Sequence, residues 1–354
     1  MYFIKSRIIQ ARNEFVKRST YIDLSLLIVL LILLALSAVS QTIPLSGNSQ
    51  RHIDPISPAA SKQSFTYITK DSIPLGLDLY RSGSRLTNGK RPCVLFVFGG
   101  AFMAGQRDDS LYNNYFNSLL AHDYVVISMS YRLGLKGVKN LSKFDIAPLE
   151  KAIGMAVDDV YDATDWIISN AGQLGIDTSQ IILSGSSSGA ITVLEADFNR
   201  RNGKPVAKKL PVNFNYAGII AFSGAIFSVD GRPKFKIPPA PVLLFHGTAD
   251  NIVPYEQVRF LNRGMFGSSS IAKEFKERGY PYYIYRAEGL GHEVSVLPMI
   301  DHLPIILEFL DQFIVQQKPY QIDLSFKDPQ AKPMMVLNPK ELFKKLEAPS
   351  AGPR

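Results

Sequence analysis

Ile181-Ile182-Leu183-Ser184-Gly185-Ser186-Ser187-Ser188-Gly189 is a short β-branched and leucine run that ends in Gly-x-Ser-x-Gly. An apolar run of this kind fits a strand covered on both faces. Glycines two residues either side of Ser187 let a strand turn sharply into a helix, which pushes the central hydroxyl into the open. Ser186 and Ser188 flank it, but only Ser187 is central between the glycines. A Gly/Ser cluster also reads as a plain loop, so the pentapeptide needs support from the rest of the chain.

Working outward, strands alternate with helical stretches from about residue 63 to residue 318. Phe65–Thr69 and Leu75–Tyr80 read as an antiparallel pair joined at Asp71-Ser72. Cys93–Phe98, Tyr124–Met129, Ala217–Phe222, Pro241–His246 and Tyr282–Tyr285 read as strands. Leu111–Ala121, Leu149–Ala171, Ser188–Phe198, Tyr255–Arg278 and Val294–Gln316 have helical spacing. The alternation predicts an α/β protein with a mostly parallel central sheet and helices on both faces. Residues 134–157 and 196–216 have room for a small cap at most. Residues 319–354 read as an extended C-terminal appendage, and residues 41–62, rich in Pro, Ser, Gln and Asn, as a linker.

A serine hydroxyl is a weak nucleophile. It needs a base, a group that orients the base, and N–H donors for the negative charge that develops on the attacked oxygen. In a parallel sheet such groups gather past the carboxyl ends of the strands. Leu243-Leu244-Phe245-His246-Gly247-Thr248-Ala249-Asp250 is a strand and turn ending in an acid, so Asp250 is the candidate orienting group. Gly289-Leu290-Gly291-His292 follows the strand at 282–285, which makes His292 the candidate base. Phe98-Gly99-Gly100-Ala101-Phe102 follows the strand at 93–97 and can turn backbone N–H groups inward. The donors expected are the N–H groups of Gly100, Ala101 and Ser188. Phe102, Met103 and Phe227 are candidates to line an acyl pocket.

These segments, in this order, resemble the α/β-hydrolase superfamily, most closely its carboxylesterase and lipase-like branch with a Gly-Gly oxyanion loop. Tyr131-Arg132-Leu133, Gly175-Ile176-Asp177 and Gly291-His292-Glu293 add to the likeness, which covers about residues 63–318. The resemblance implies the α/β-hydrolase fold and acyl-ester hydrolysis through an acyl-enzyme, without a cofactor. Two positions depart from relatives with a His-Gly-Gly-Gly loop: Phe98 stands for His and Ala101 for the third Gly. Ser188 stands where the family commonly has Ala.

Other residues read as scaffold. Arg132 is placed to pair with Asp158 or Asp159, His246 to be a hydrogen-bonded core histidine, His302 to pack, and Glu293 to cap the last helix. Cys93 is the only cysteine, so no intrachain disulfide forms, and its apolar setting fits a buried small hydrophobe. The five histidines show no His-x-x-x-His pattern, and no metal site is expected.

The net charge is +8, of which residues 1–40 carry +3 (five basic residues against two acidic). No basic run with interleaved aromatics accompanies it, which argues against nucleic-acid binding. Leu24–Val39 is uncharged, follows a basic leader, and precedes a small-x-small signal at Ala38–Ser40. This reads as a secretory signal peptide or a membrane anchor, and either places the remainder outside the cytoplasm, secreted or periplasmic. The expectation is an exported serine esterase for short acyl, acetyl or feruloyl esters, on small molecules or polysaccharides. A peptidase on the same fold and a non-catalytic binding relative are the alternatives. Large propeller-bearing exopeptidases need a further domain, and non-catalytic relatives usually lose a triad residue.

Overall fold

The computed structural model describes residues 52–83, 89–138 and 146–336. Residues 1–51, where a signal peptide or anchor is expected, and residues 337–354 lie outside the described residues. Among the described residues no helix is long and apolar enough to cross a membrane.

The strands are β1 (Ala60–Lys70), β2 (Ile73–Ser82), β3 (Arg91–Val97), β4 (Val125–Met129), β5 (Ile176–Ser186), β6 (Gly218–Phe222), β7 (Ala225–Ser228), β8 (Val242–Gly247), β9 (Gln257–Phe260), β10 (Arg263–Gly267), β11 (Tyr282–Ala287) and β12 (Gln321–Phe326). Nine of them form one sheet in the order β1-β2-β4-β3-β5-β6-β8-β11-β12. β1 and β2 are antiparallel additions, and every pairing from β4 to β12 is parallel. β4, β6 and β8 are buried along their whole length. That is why they read as continuous apolar runs rather than alternating ones.

The main helices are α1 (Asn113–Ala121), α2 (Ala147–Leu174), α3 (Ser188–Arg201) and α4 (Ser268–Arg278). α2 starts on Pro148 and stops at Gly175, whose φ of 59° ends it in a left-handed cap. α2 and α3 pack together on one face of the sheet, while α1 packs with the helical segment 298–315 on the other. From β3 the chain steps one way to β4 and later the other way to β5. The crevice at this reversal, past the carboxyl ends of β3 and β5, is where an α/β sheet builds a site. Phe96, Phe222, Phe245 and Tyr115 fill the core beneath it, with Phe222 and Phe245 stacked at 5.4 Å.

Three sequence expectations change. The helix expected over 255–278 is a hairpin, β9–β10, followed by the shorter α4. Leu261 takes a left-handed φ of 52° at the hairpin tip, and an added Cβ at Gly267 would stand 1.7 Å from the Pro254 carbonyl. β10 also pairs with β7, which makes a small three-stranded sheet. The helix expected over 294–316 is broken at His302 and widens into a π-helix at Leu310–Val315. Residues 201–216 return to the amino edge of the sheet, where the Ala217 N–H bonds the Ile181 carbonyl. They cannot cap a site on the carboxyl edge.

The domain borders also move. Residues 52–59 are not a free linker: Asn114 clamps His52 and Asp54, and Asn117 clamps Pro55 and Ser57. At the other end residues 321–326 are no appendage, because they form edge strand β12. The β5–α3–β6 and β11–β12 crossovers step in the same direction but put their helices on opposite faces. With β5–α3–β6 in the usual right hand, β12 is added by the rare left-handed crossover.

Candidate active site

The nucleophile turn is built by crowding. β5 ends at Ser186 and α3 begins at Ser188, leaving Ser187 at φ 53° and ψ −116°. This is a strained conformation for a residue with a Cβ. A Cβ at Gly185 would lie 2.4 Å from the Gly189 carbonyl carbon, and one at Gly189 would lie 2.0 Å from the Val97 carbonyl. Only glycine at both positions lets the strand meet the helix this closely. The turn is anchored by the Ser187 N–H, which donates to the Phe222 carbonyl at 2.9 Å, and by the Ser186 hydroxyl, which donates to the Ser295 carbonyl at 2.9 Å.

Ser187, His292 and Asp250 come together although they are spread over more than 100 residues. Ser187 Oγ lies 2.8 Å from His292 Nε2, and His292 Nδ1 lies 2.7 Å from Asp250 Oδ2. The carboxylate can only accept, so Nδ1 carries the ring proton and Nε2 presents its lone pair to the serine hydroxyl. Asp250 Oδ1 accepts the N–H groups of Ile252 and Val253 at 2.9 and 3.0 Å. Burial would raise the Asp250 carboxyl. The charge of His292 and hydrogen bonds from His246 and His292 outweigh it and hold the group well below the usual carboxylate range.

His246 is a neighbour of the triad as well as a core histidine. Its Nε2 lies 3.1 Å from the Val253 carbonyl and 3.3 Å from Asp250 Oδ2, and its Nδ1 lies 2.7 Å from Ser268 Oγ. Both groups facing Nε2 are acceptors, so Nε2 carries a proton, while Nδ1 pairs with a Ser268 hydroxyl that also faces the Gly224 carbonyl. Asp250 is thus held between two imidazoles.

The loop after β3 folds over Ser187 with Gly100 at φ 131°, Ala101 at 59° and Phe102 at 60°. It closes on itself through the Met103 and Ala104 N–H groups, which donate to the Gly100 carbonyl at 2.9 and 3.0 Å. Among the described residues the N–H groups of Gly100, Ala101 and Ser188 donate to no other group. They are available to an oxyanion at Ser187. Tyr131 supports this loop. Its hydroxyl donates to the Phe98 carbonyl at 3.0 Å and stands 3.3 Å from Ser188 Oγ. The hydroxyl of Ser188 therefore has a partner that Ala would lack.

Two spaces open from Ser187. One is an apolar recess of about 20 Å³ between Ala101, Phe102, Ile191, Ile252, Val253 and Met265. The other is a cleft of about 330 Å³ that includes His292, Gln106, Asp109, Tyr112, Ser295 and Met335. Of the pocket residues expected from sequence, Phe102 lines the recess. Met103 and Phe227 line neither space. Phe227 sits opposite Met265 in the small sheet but one strand further out, and packs against the Arg263 guanidinium at 5.6 Å. The wall that sequence reasoning missed is Ile252, Val253, Pro254 and Met265, the last of them inside the helix expected over 255–278. Glu293 caps the short turn at His292–Ser295 rather than the last long helix: its carboxylate accepts the N–H of the N-cap Gly291 at 2.8 Å, and also that of Met335 at 3.0 Å.

Behind the site Arg132 bonds Asp159 at 2.9 Å and Asp158 at 3.0 Å. Lys70 and Lys209 complete the countercharge of Asp158, Asp159 and Asp162, the one grouping among the described residues that could hold a metal ion. Cys93 is buried, and that burial pushes its thiol up, so it is no nucleophile.

Sheet order, nucleophile turn and the three polar groups define the architecture: the chain has the α/β-hydrolase fold, and its likenesses are to esterases. Residues 77–226 match the family model described as BD-FAE. Esterase 2 of the planctomycete Thermogutta terrifontis, in its propionate-bound form, superposes with a TM-score of 0.54 at 22% identity, over 72% of this chain and 95% of that one. Esterase LipI of Mycobacterium tuberculosis is 28% identical over 135 residues, 37% of each chain. Para-nitrobenzyl esterase of Bacillus subtilis is 28% identical over 103 residues, 29% of this chain and 20% of that one. The matched stretch thus spans well under half of these curated relatives' own length.

Proposed function

We propose that the protein hydrolyses carboxylic esters with a small acyl group through Ser187, His292 and Asp250. The observation that carries this reading is the unbroken run Ser187 Oγ–His292 Nε2 at 2.8 Å and His292 Nδ1–Asp250 Oδ2 at 2.7 Å, beside three uncommitted N–H groups. Nε2 takes the hydroxyl proton as Oγ attacks the ester carbonyl carbon. The carbonyl oxygen becomes an oxyanion that accepts from Gly100, Ala101 and Ser188. Asp250 stays ionised and steadies the imidazolium. His292 then returns the proton to the alcohol oxygen, the C–O bond breaks, and the acyl-enzyme remains. Water, deprotonated by His292, attacks it and releases the acid.

The two spaces support a placement for each half of the ester. The leaving oxygen must lie beside His292, so the alcohol belongs in the larger cleft. The acyl group then points into the recess past Ala101 and Ser188. About 20 Å³ is little more than a water molecule needs, which suits an acetyl group. A feruloyl group would require the recess to open. The cleft wall offers the Asp109 carboxylate and the Gln106 amide to hydroxyls, which suits an alcohol of the sugar kind. The test is p-nitrophenyl acetate turnover by the native chain and by Ser187→Ala. Loss of turnover with an unchanged melt supports the reading, and retained turnover sinks it.

We further propose export, supported by the uncharged run Leu24–Val39 behind a basic leader. Protease accessibility of the intact domain on whole cells, or its recovery from the medium, tests this. A domain found only in the cytosol refutes it.

A further inference from the structure

The C-terminal tail reaches the site because of its direction. β12 runs parallel to β11, from Gln321 opposite Tyr282 to Phe326 opposite Ala287. A parallel strand leaves the sheet at the carboxyl edge, where the triad lies; an antiparallel one would leave at the far edge. The exit is fixed by the Glu288 N–H on the Phe326 carbonyl at 2.8 Å and by the Ser325 hydroxyl on the Glu288 carboxylate at 2.6 Å. The chain then folds back over the loop that carries His292.

There the backbone of Met335 is bonded on both sides. Its carbonyl accepts the His292 N–H at 2.9 Å, and its N–H donates to Glu293 Oε2 at 3.0 Å. Glu293 Oε1 accepts the Gly291 N–H at 2.8 Å. Glu293 is 1% exposed; its Oε2 ties the loop to the tail, while its Oε1 braces the loop itself. A Cβ at Gly291 would stand 2.6 Å from the Met335 carbonyl oxygen, so the two segments are in close contact. The half-buried Met335 lines the larger cleft beside His292, Ser295 and Val296.

We propose that residues 327–336 form a strap that completes the site. The Met335 side chain bounds the space for the leaving alcohol and so sets which alcohols fit. Its backbone, tied through Glu293, holds the loop that aims His292 at Ser187. This rests on Ser187 and His292 being nucleophile and base. Met335 acts on specificity, and Glu293 is a positioning residue that touches no reacting atom.

Two substitutions in the full chain test it. Met335→Gly keeps both backbone hydrogen bonds and removes only the wall. It should raise kcat/KM for 2-naphthyl acetate relative to methyl acetate by about fivefold or more, the size of effect that one or two methylenes of pocket space produce. The ratio of p-nitrophenyl acetate to butyrate should stay fixed. An unmoved alcohol ratio, or both ratios moving together, overturns the specificity claim. Glu293→Ala should lower kcat about 10- to 100-fold with KM little changed, as slight misplacement of a catalytic group does. Glu293→Gln, which keeps one acceptor oxygen, should recover part of the loss. A lower melt with kcat unchanged would reduce the strap to a fold contact. Ser187→Ala separates the two levels. Hydrolysis that survives it refutes the underlying site. An inactive Ser187→Ala beside a silent Met335→Gly refutes the strap alone.

Discussion

With the acyl group placed as proposed, acyl length is the property that the recess constrains most tightly. Its walls are Phe102, Leu149, Ile191, Ile252, Val253, Pro254 and Met265, and the space they leave is about 20 Å³. Phe102, Ile252, Val253 and Met265 are each 3% exposed or less, so the walls are themselves packed. Forcing extra methylenes into a packed interior costs about 1–3 kcal/mol, and 1.36 kcal/mol is tenfold in rate. The native chain should therefore prefer p-nitrophenyl acetate to the butyrate by roughly 5- to 150-fold in kcat/KM. Met265→Ala removes three heavy atoms from one wall. Each methylene that finds apolar contact there gains about 0.8 kcal/mol, so the butyrate-to-acetate ratio should rise by roughly tenfold for two methylenes. The substitution also leaves a cavity, at a cost of about 2–5 kcal/mol in stability. The assay must therefore run well below the melt of the variant. Native turnover of hexanoate as fast as acetate would refute the reasoning, as would an unchanged ratio in Met265→Ala.

Two further expectations follow from buried carboxylates. Asp250→Asn keeps the shape but allows the wrong imidazole tautomer, and should cost roughly 10⁴ in kcat with KM nearly constant; a loss below tenfold on a steady-state assay would argue against the triad. Glu195, buried on α3 with the Phe227 N–H as partner, has its carboxyl pushed up by burial to about 8. The folded state then holds a proton that the unfolded state releases above about pH 4.3. Stability contributed by this group is full below that pH and is lost as pH rises toward 8. At about 1.4 kcal/mol per pH unit the loss amounts to a few kcal/mol. Glu195→Gln should flatten the fall in melting temperature between pH 5 and pH 8, and a parallel fall in both proteins would refute the assignment.

Much of the candidate site was legible because its parts sit at the ends of strands that announce themselves. β5, β8 and β11 are buried apolar runs, and Ser187, Asp250 and His292 each follow one. The Gly99-Gly100 turn follows β3 for the same reason. What failed to show lacks such a signal. The 257–267 hairpin is short and mostly exposed on β9, and its residues satisfy a helical period as well as an alternating one, so register with β7 decided between them. β12 is an exposed edge strand without an apolar run, added by a crossover of the rare hand. Nothing local marks it as part of the sheet, and Met335 is brought to the site only by that pairing. Phe227 looked like a pocket residue because it is aromatic and near the cleft in sequence order, yet its cross-strand partner Met265 takes the place nearer to Ser187.

The central claim is that Ser187, alone among three adjacent serines, is the activated nucleophile. A fluorophosphonate probe reacts with an activated serine hydroxyl, and mass-spectrometric mapping of the labelled peptide identifies which one. Only Ser187 stands 2.8 Å from His292 Nε2, while Ser186 donates to the Ser295 carbonyl and Ser188 faces Tyr131. The account predicts one adduct per chain, on Ser187, lost in His292→Ala. No adduct, or an adduct on Ser186 or Ser188, would contradict it.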